Sequence, residues 1–65
     1  MLPVQLPEAG QARLMVYNRA WLPVRQEYAS GYDVSINLWS IAPGVYDLIV
    51  YQDGQRYSKV FVIAE

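Results

Sequence analysis

The chain has 65 residues, of which 54% are hydrophobic and 17% charged, with a formal net charge of −1 at pH 7. Because it has no cysteine and no histidine, a disulfide and a zinc site of the ordinary kind are excluded. Its five basic residues form no stripe, so nucleic-acid binding through phosphates is not expected. We expect one domain over residues 1–65, stabilised by apolar burial or by a neighbouring domain or subunit.

The first half of the chain predicts four short strands. In residues 2–6 and 12–17, apolar side chains alternate with polar ones or prolines, which is typical of strands with one buried face. Residues 24–28 predict a third and more polar strand, and residues 33–38 a fourth with clear alternation. Turn signals separate these segments at residues 7–10, 18–23 and 29–31. Short strands at this spacing indicate an all-β sandwich.

The last third of the chain, residues 43–63, predicts a β-hairpin. Both of its arms are rich in β-branched and aromatic residues. The dipeptide Asp53-Gly54 lies between them and is a strong turn signal. A compact connector, residues 39–43, joins this hairpin to the first half of the chain.

The loop length of this hairpin decides which side chains face the core. A two-residue loop would place Leu48 opposite Lys59, which mixes a core position with a charge. A three-residue loop over residues 52–54 avoids that pair and places Tyr46 opposite Val60. Because a slip of one residue moves every side chain to the other face, the sequence predicts the three-residue loop.

In that register the outward face of the hairpin is apolar. It would carry Val45, Ile49, Tyr51, Tyr57, Phe61 and Ile63. Contiguous exposed apolar patches usually mark an interface. We therefore expect self-association or packing on a neighbouring domain, unless the loops around Trp21 or Trp39 fold over this face. The candidate interface residues are Ile49, Tyr51, Tyr57 and Ile63.

Catalytic chemistry is not indicated by any residue pattern. The serines have no evident base, and the six acidic residues stand singly. The four glycines also stand singly, so no phosphate-binding loop is predicted. We predict no catalytic, cofactor-binding or metal-binding residue, and a protein that is not an enzyme. No apolar stretch approaches the roughly 20 residues of a transmembrane helix, and the N-terminus does not resemble a signal peptide.

Two tryptophans offer an alternative role in binding. Trp21 and Trp39 lie in connecting segments, and together with the six tyrosines their flat rings could form a stacking platform for sugars. The competing interpretation is that Trp39 closes one end of the fold, since aromatic residues are also common in β-structure.

Five short elements follow one another along the chain. They are residues 14–18 (Leu-Met-Val-Tyr-Asn), Val24, residues 36–38 (Ile-Asn-Leu), residues 43–46 (Pro-Gly-Val-Tyr) and residues 59–62 (Lys-Val-Phe-Val). In order and spacing they resemble the C-terminal sorting domain of proteins exported by the bacterial type IX secretion system. The opening at residues 6–14 also resembles the related immunoglobulin-like domain of the flagellar hook-capping protein.

The resemblance implies an antiparallel, immunoglobulin-like β-sandwich of six to seven strands. It also implies a non-enzymatic secretion and sorting signal, located at the C-terminus of a longer exported protein. The partner would be the secretion machinery, and the location would be secreted or at the outer-membrane surface. The positions that match the family's recurring elements are Gly44, Tyr46, Lys59, Val60, Phe61 and Val62.

One position departs from the family pattern. Trp21 stands where the family commonly has glycine, so the sequence predicts that this turn is built differently. The usual Pro-Asn-Pro opening is also absent. Two other functions stay open at this point: an immunoglobulin-like accessory domain that packs on a catalytic neighbour, and a small carbohydrate-binding module that uses Trp21, Trp39 and tyrosines.

Overall fold

The computed structural model describes residues 2–64, which form one antiparallel sheet of four strands. Met1 and Glu65, the ends of the predicted domain, lie outside the described residues. The strands are β1 (Leu2–Tyr17), β2 (Pro23–Ile36), β3 (Gly44–Gln52) and β4 (Gln55–Ile63), in the spatial order β2-β1-β3-β4. The prediction of an all-β antiparallel fold is confirmed. The described residues contain four strands rather than the six or seven expected.

The strand count differs because two predicted turns lie inside long strands. Residues 7–10 belong to β1 and residues 29–31 belong to β2. Gln5 pairs with Asp33 and Gly10 pairs with Gly31, so the four residues of β1 between these pairs oppose one residue of β2. Such a bulge bends a strand without reversing it. The proline and glycine that signal a turn here therefore produce a bend.

The bulge folds the β1–β2 hairpin back over the sheet. A straight strand of 16 residues would be about 50 Å long, given a rise of about 3.3 Å per residue. The longest dimension of the molecule is only 31 Å. Leu2 and Val4, before the bulge, pack against the core and share a cleft with Leu48 and Phe61 of strands that they do not pair with. One sheet thus supplies both layers around the core.

The core lies between these layers. Its most deeply buried side chains are Leu6, Leu14, Val16 and Ile36, which come from both sides of the bulge. Burying each of these side chains contributes roughly 1.5–3 kcal/mol. Tyr46, Leu48 and Val50 complete the cluster from β3.

The predicted three-residue loop of the β3–β4 hairpin is wrong. Gln52 pairs with Gln55, so the loop is the two-residue Asp53-Gly54, and both of its residues have positive φ (51° and 72°). This is the geometry of a type I′ turn, which matches the twist of paired strands. Leu48 therefore does lie opposite Lys59. The pair is tolerated because β4 is an edge strand, where a long side chain reaches water.

The corrected register also corrects the predicted faces of the hairpin. Tyr57 and Ile63 are on the core face with Phe61, and not on the outward face where they were expected. Ile49 and Tyr51 do lie on the outward face, but Ile49 is buried. The exposed valines of that face are Val45, Val60 and Val62.

Gln52 holds the bulge of β1 against the end of β3. Its side-chain Nε2 donates to the carbonyl oxygen of Glu8 at 2.8 Å, and its Oε1 accepts from the Glu8 N–H at 3.3 Å. Gln52 is almost fully buried. Its amide thus replaces the backbone partners that Glu8 loses in the bulge, since buried polar groups need hydrogen-bond partners.

The connector between β2 and β3 is fixed over the core face of β2. The Glu27 carboxylate accepts from the Asn37 N–H at 2.8 Å, and the Arg25 guanidinium donates to the Trp39 carbonyl. Glu27 and Arg25 share the core face because they pair with Leu14 and Val16. The connector therefore covers the open end of the core.

Candidate recognition strand and outer sheet face

β4 is an edge of the sheet, paired only with β3. In a two-residue hairpin the residues that flank the turn form a hydrogen-bonded pair, and bonded and non-bonded pairs then alternate. Odd-numbered residues of β4 therefore bond to β3, whereas the N–H and C=O groups of Val60 and Val62 point away from it. These two side chains are 52% and 67% exposed. Both the backbone and the side chains of this stretch are accessible to a partner.

The six positions that match the sorting-domain pattern fall into two groups. The buried group builds the fold: the Tyr46 ring stacks on Phe61 with 5.9 Å between centroids, and its hydroxyl donates to the Ala42 carbonyl at 2.5 Å. Gly44 lies beneath the Tyr46 ring, where an added Cβ would come within 3.6 Å of it. The exposed group consists of Lys59, Val60 and Val62.

The opposite edge of the sheet, β2, is less suited to accept a strand. Its pairing is interrupted at the bulge near Gly31. It also carries the charged residues Arg25, Glu27 and Asp33. Bends and charges of this kind are what proteins use to block edge-to-edge pairing. The residues of β4 from Val60 to Ile63 pair with β3 without a register shift and carry no charge.

Trp21 takes the conformation that glycine would have in the β1–β2 turn. Its φ is +59°, although the sequence predicted that the turn would be built differently. The turn is held by Asn18, whose Oδ1 accepts from the N–H groups of Ala20 and Leu22 at 2.9 and 3.0 Å. The left-handed conformation costs about 1–2 kcal/mol for a residue with a side chain. The Trp21 indole, which is 61% exposed, packs on the Tyr17 ring with 5.9 Å between the ring centroids, and this contact offsets part of the conformational cost.

The two candidate sugar-stacking residues do not line one surface. Trp21 packs on Tyr17, whose neighbours in β1 place it on the outer face of the sheet. Trp39 belongs to the connector that Arg25 fixes over the opposite, core face. Both indoles are exposed, and they belong to segments on opposite faces of the sheet.

A row of four side chains crosses the outer face, one from each strand. Arg13 pairs with Tyr28 on one side and with Tyr51 on the other, and Tyr51 pairs with Arg56. The order across the sheet is thus Tyr28–Arg13–Tyr51–Arg56, which we call the Tyr–Arg row. The Arg13 guanidinium lies over the Tyr51 ring, 4.5 Å from its centroid. The sequence does not predict this row, because only the two-residue loop places Tyr51 opposite Arg56.

The charges of the outer face are unevenly paired. Among residues 2–64 one ion pair is present, between the Nη1 atom of Arg19 and the Oδ2 atom of the buried Asp47, which are 3.7 Å apart. No carboxylate of that part of the chain lies within ion-pair distance of Arg13 or Arg56. At the end of the sheet, a hydrogen bond to Asp53 and the repulsion between the two carboxylates raise the pKa of Glu8 above its usual 4.5.

The chain was compared with protein-family models, curated proteins and solved structures, and none of them matches it. Among residues 2–64 no group of three potential metal ligands comes together. The same residues contain no helix of the length and hydropathy needed to cross a membrane.

Proposed function

We propose that the chain is a non-enzymatic C-terminal secretion and sorting module of an exported bacterial protein, read by the export machinery through strand β4. The module would be secreted or held at the outer-membrane surface. In this proposal the four-stranded sheet is a reduced form of the family's immunoglobulin-like sandwich. The observation that carries the proposal is the accessible edge at Val60 and Val62, which coincides with the best-matched element of the sequence pattern.

The physical basis is recognition by strand addition. A partner strand placed along β4 would receive main-chain hydrogen bonds from the outward N–H and C=O groups of Val60 and Val62. The valine side chains would supply specificity, because they project from the outer face next to Val45. The buried matches, Tyr46 and Phe61, would hold β4 in position and would not touch the partner.

Export of a reporter fused before residue 2 tests the proposal, in a host that carries the type IX machinery. We expect Val60→Lys combined with Val62→Lys to reduce export at least tenfold, because edge lysines oppose strand addition. Circular dichroism and the melting temperature of the purified fusion should stay near those of the parent, since both side chains are exposed.

The matched control makes the same change on the other edge. Tyr32 and Ser35 are also exposed, and both lie on β2. Tyr32→Lys combined with Ser35→Lys should leave export unchanged. Full export of the folded Val60/Val62 variant, or equal losses in both variants, would contradict the proposal.

An accessory domain that packs on a catalytic neighbour is a second candidate. The observation that favours it is the cluster of exposed valines, Val45, Val60 and Val62, on the outer face. Sedimentation of the isolated domain, alone and with the protein that precedes it, separates the two: stable association that the valine-to-lysine changes abolish, with export intact, would favour the accessory role.

A further inference from the structure

We propose that the Tyr–Arg row of the outer face binds an acidic polysaccharide. This site is separate from the Val60–Val62 edge, and the inference does not rest on the proposed function. The row forms the floor and walls of an open, concave saddle of about 750 Å³ at the end of the sheet. β1 forms its floor, β2 one wall, and the tip of the β3–β4 hairpin the other.

The row alternates flat rings with positive charges. Neighbouring strands are about 4.8 Å apart, so four strands present two rings and two guanidinium groups along about 14 Å. Tyr28 is 74% exposed and offers its ring to a ligand, whereas the Arg13 guanidinium covers one face of the half-buried Tyr51 ring. Ring faces pack on the apolar faces of pyranose rings, and a guanidinium pairs with a carboxylate through two parallel hydrogen bonds.

The charge of the saddle matches an anionic ligand. Arg13 and Arg56 have no ion-pair partner among residues 2–64. Asp53 also lines the saddle, so the lining carries two positive charges against one negative charge and is net positive. Two guanidinium groups therefore remain available to carboxylates of a bound chain.

The remaining lining favours a sugar chain over other anions. Uncharged amides and a hydroxyl surround the row, and each can both donate to and accept from sugar hydroxyl groups. They are Gln11, Ser30 and Gln55. Gln52 also lines the saddle, but its amide is bonded to Glu8. A nucleic acid binds mainly by neutralising several phosphates, which a chain of five basic residues and net charge −1 is poorly equipped to do.

Binding should be measured by calorimetry with the whole chain and polygalacturonate, at low and at physiological salt. We expect saturable binding that weakens as salt rises, because exposed charges are screened. Arg56→Gln should weaken binding roughly tenfold, which is the effect of losing one hydrogen-bonded charge pair. Tyr28→Ala should weaken it about fivefold through the lost ring contact.

The controls carry the same changes outside the row. Arg19→Gln removes a positive charge from the same face, and Tyr32→Ala removes another exposed tyrosine from β2. Both should bind polygalacturonate within about twofold of the parent, since a specific contact and not net charge carries the affinity. Circular dichroism checks that each variant is folded.

Several results would overturn the inference. One is the absence of saturable binding to polygalacturonate. Another is an equal effect of Arg56→Gln and Arg19→Gln, which would indicate attraction by net charge alone. Equal binding of neutral dextran would remove the role of the guanidinium groups, and tighter binding of an oligothymidylate would assign the row to single-stranded nucleic acid.

Discussion

The two hairpins of this sheet differ in the regularity of their strand pairing. The β3–β4 hairpin is regular: nine consecutive pairs run from Gly44–Ile63 to Gln52–Gln55 without a shift, and a two-residue turn sets their register. The β1–β2 hairpin is bent, with a bulge between Gln5 and Gly10 that folds its far end over the sheet. The regular hairpin supplies a straight edge and the outer face, whereas the bent hairpin closes the core. A small domain without disulfides thus gains a second layer by bending one strand.

The largest expected effect comes from the bend. Leu6 lies in the bulge and is almost fully buried. Leu6→Ala should destabilise the domain by about 2–5 kcal/mol, the range for removing a buried leucine side chain. The same change at the exposed Leu22 of the same hairpin should stay within about 0.5 kcal/mol. Urea denaturation measures both, and similar values would mean that the bend does not close the core.

The tie between the two hairpins should have the next largest effect. Gln52→Ala leaves the N–H and C=O groups of Glu8 without their partners and should cost about 1–3 kcal/mol. Its register partner Gln55 is exposed and bonds to no side chain or bulge among the described residues. Gln55→Ala should therefore be nearly neutral in the same urea experiment. A neutral Gln52→Ala would show that the bulge is stable without this amide.

The turn of the regular hairpin should be sensitive to its backbone alone. Gly54 has a φ of +72°, and an added Cβ would meet nothing within 4 Å. Gly54→Ala should thus destabilise by about 1 kcal/mol through conformational strain without a clash. The bent hairpin provides the converse change: Trp21→Gly relieves a positive φ but removes the contact with Tyr17. The melting temperature of Trp21→Gly should change by less than that of Gly54→Ala. A larger drop would mean that the contact between the indole and Tyr17 stabilises the turn by more than the positive φ of Trp21 destabilises it.

The smallest effect concerns pH. The raised pKa of Glu8 means that the folded state holds this proton at higher pH than the unfolded chain does. The stabilising contribution is therefore present below the usual glutamate pKa of 4.5 and is lost as pH rises through the raised value. Asp53→Asn removes the carboxylate that causes the shift and keeps a favoured type I′ turn residue.

The measurement is the melting temperature of Asp53→Asn against the parent between pH 3.5 and pH 7. We expect the variant to gain on the parent as pH rises through the titration of Glu8. A difference that does not change with pH would show that the Glu8–Asp53 interaction does not affect stability.

The sequence predicted the strand content well and the connections less well. Alternation located segments of β1 and β2, since the side chains of residues 12–17 and 33–36 do face the core alternately, although the predicted strand 33–38 ends at Ile36. The proline and glycine of residues 7–10 indicate a turn and a bulge equally well, and only the pairing partner distinguishes the two. Glu8 finds its partner in Gln52, 44 residues away, and no local pattern shows that contact.

The candidate sites were predictable to the extent that they depend on local pattern. The turn at Asp53-Gly54 is confirmed, but the predicted register is wrong, because it avoids pairing a core position, Leu48, with a charge, Lys59. At the sheet edge that pair is harmless. The error displaced the outward face by one residue, and with it the valines of β4 and the Tyr–Arg row.

Both proposals depend on the register of the β3–β4 hairpin, which NMR can measure directly in the whole chain. Non-hydrogen-bonded pairs bring Hα atoms close together. The account predicts strong Hα–Hα contacts for Tyr51–Arg56 and Asp47–Val60. A strong Hα–Hα contact between Tyr46 and Val60 instead would contradict it, because that register turns Val60 into the core and separates Tyr51 from Arg56.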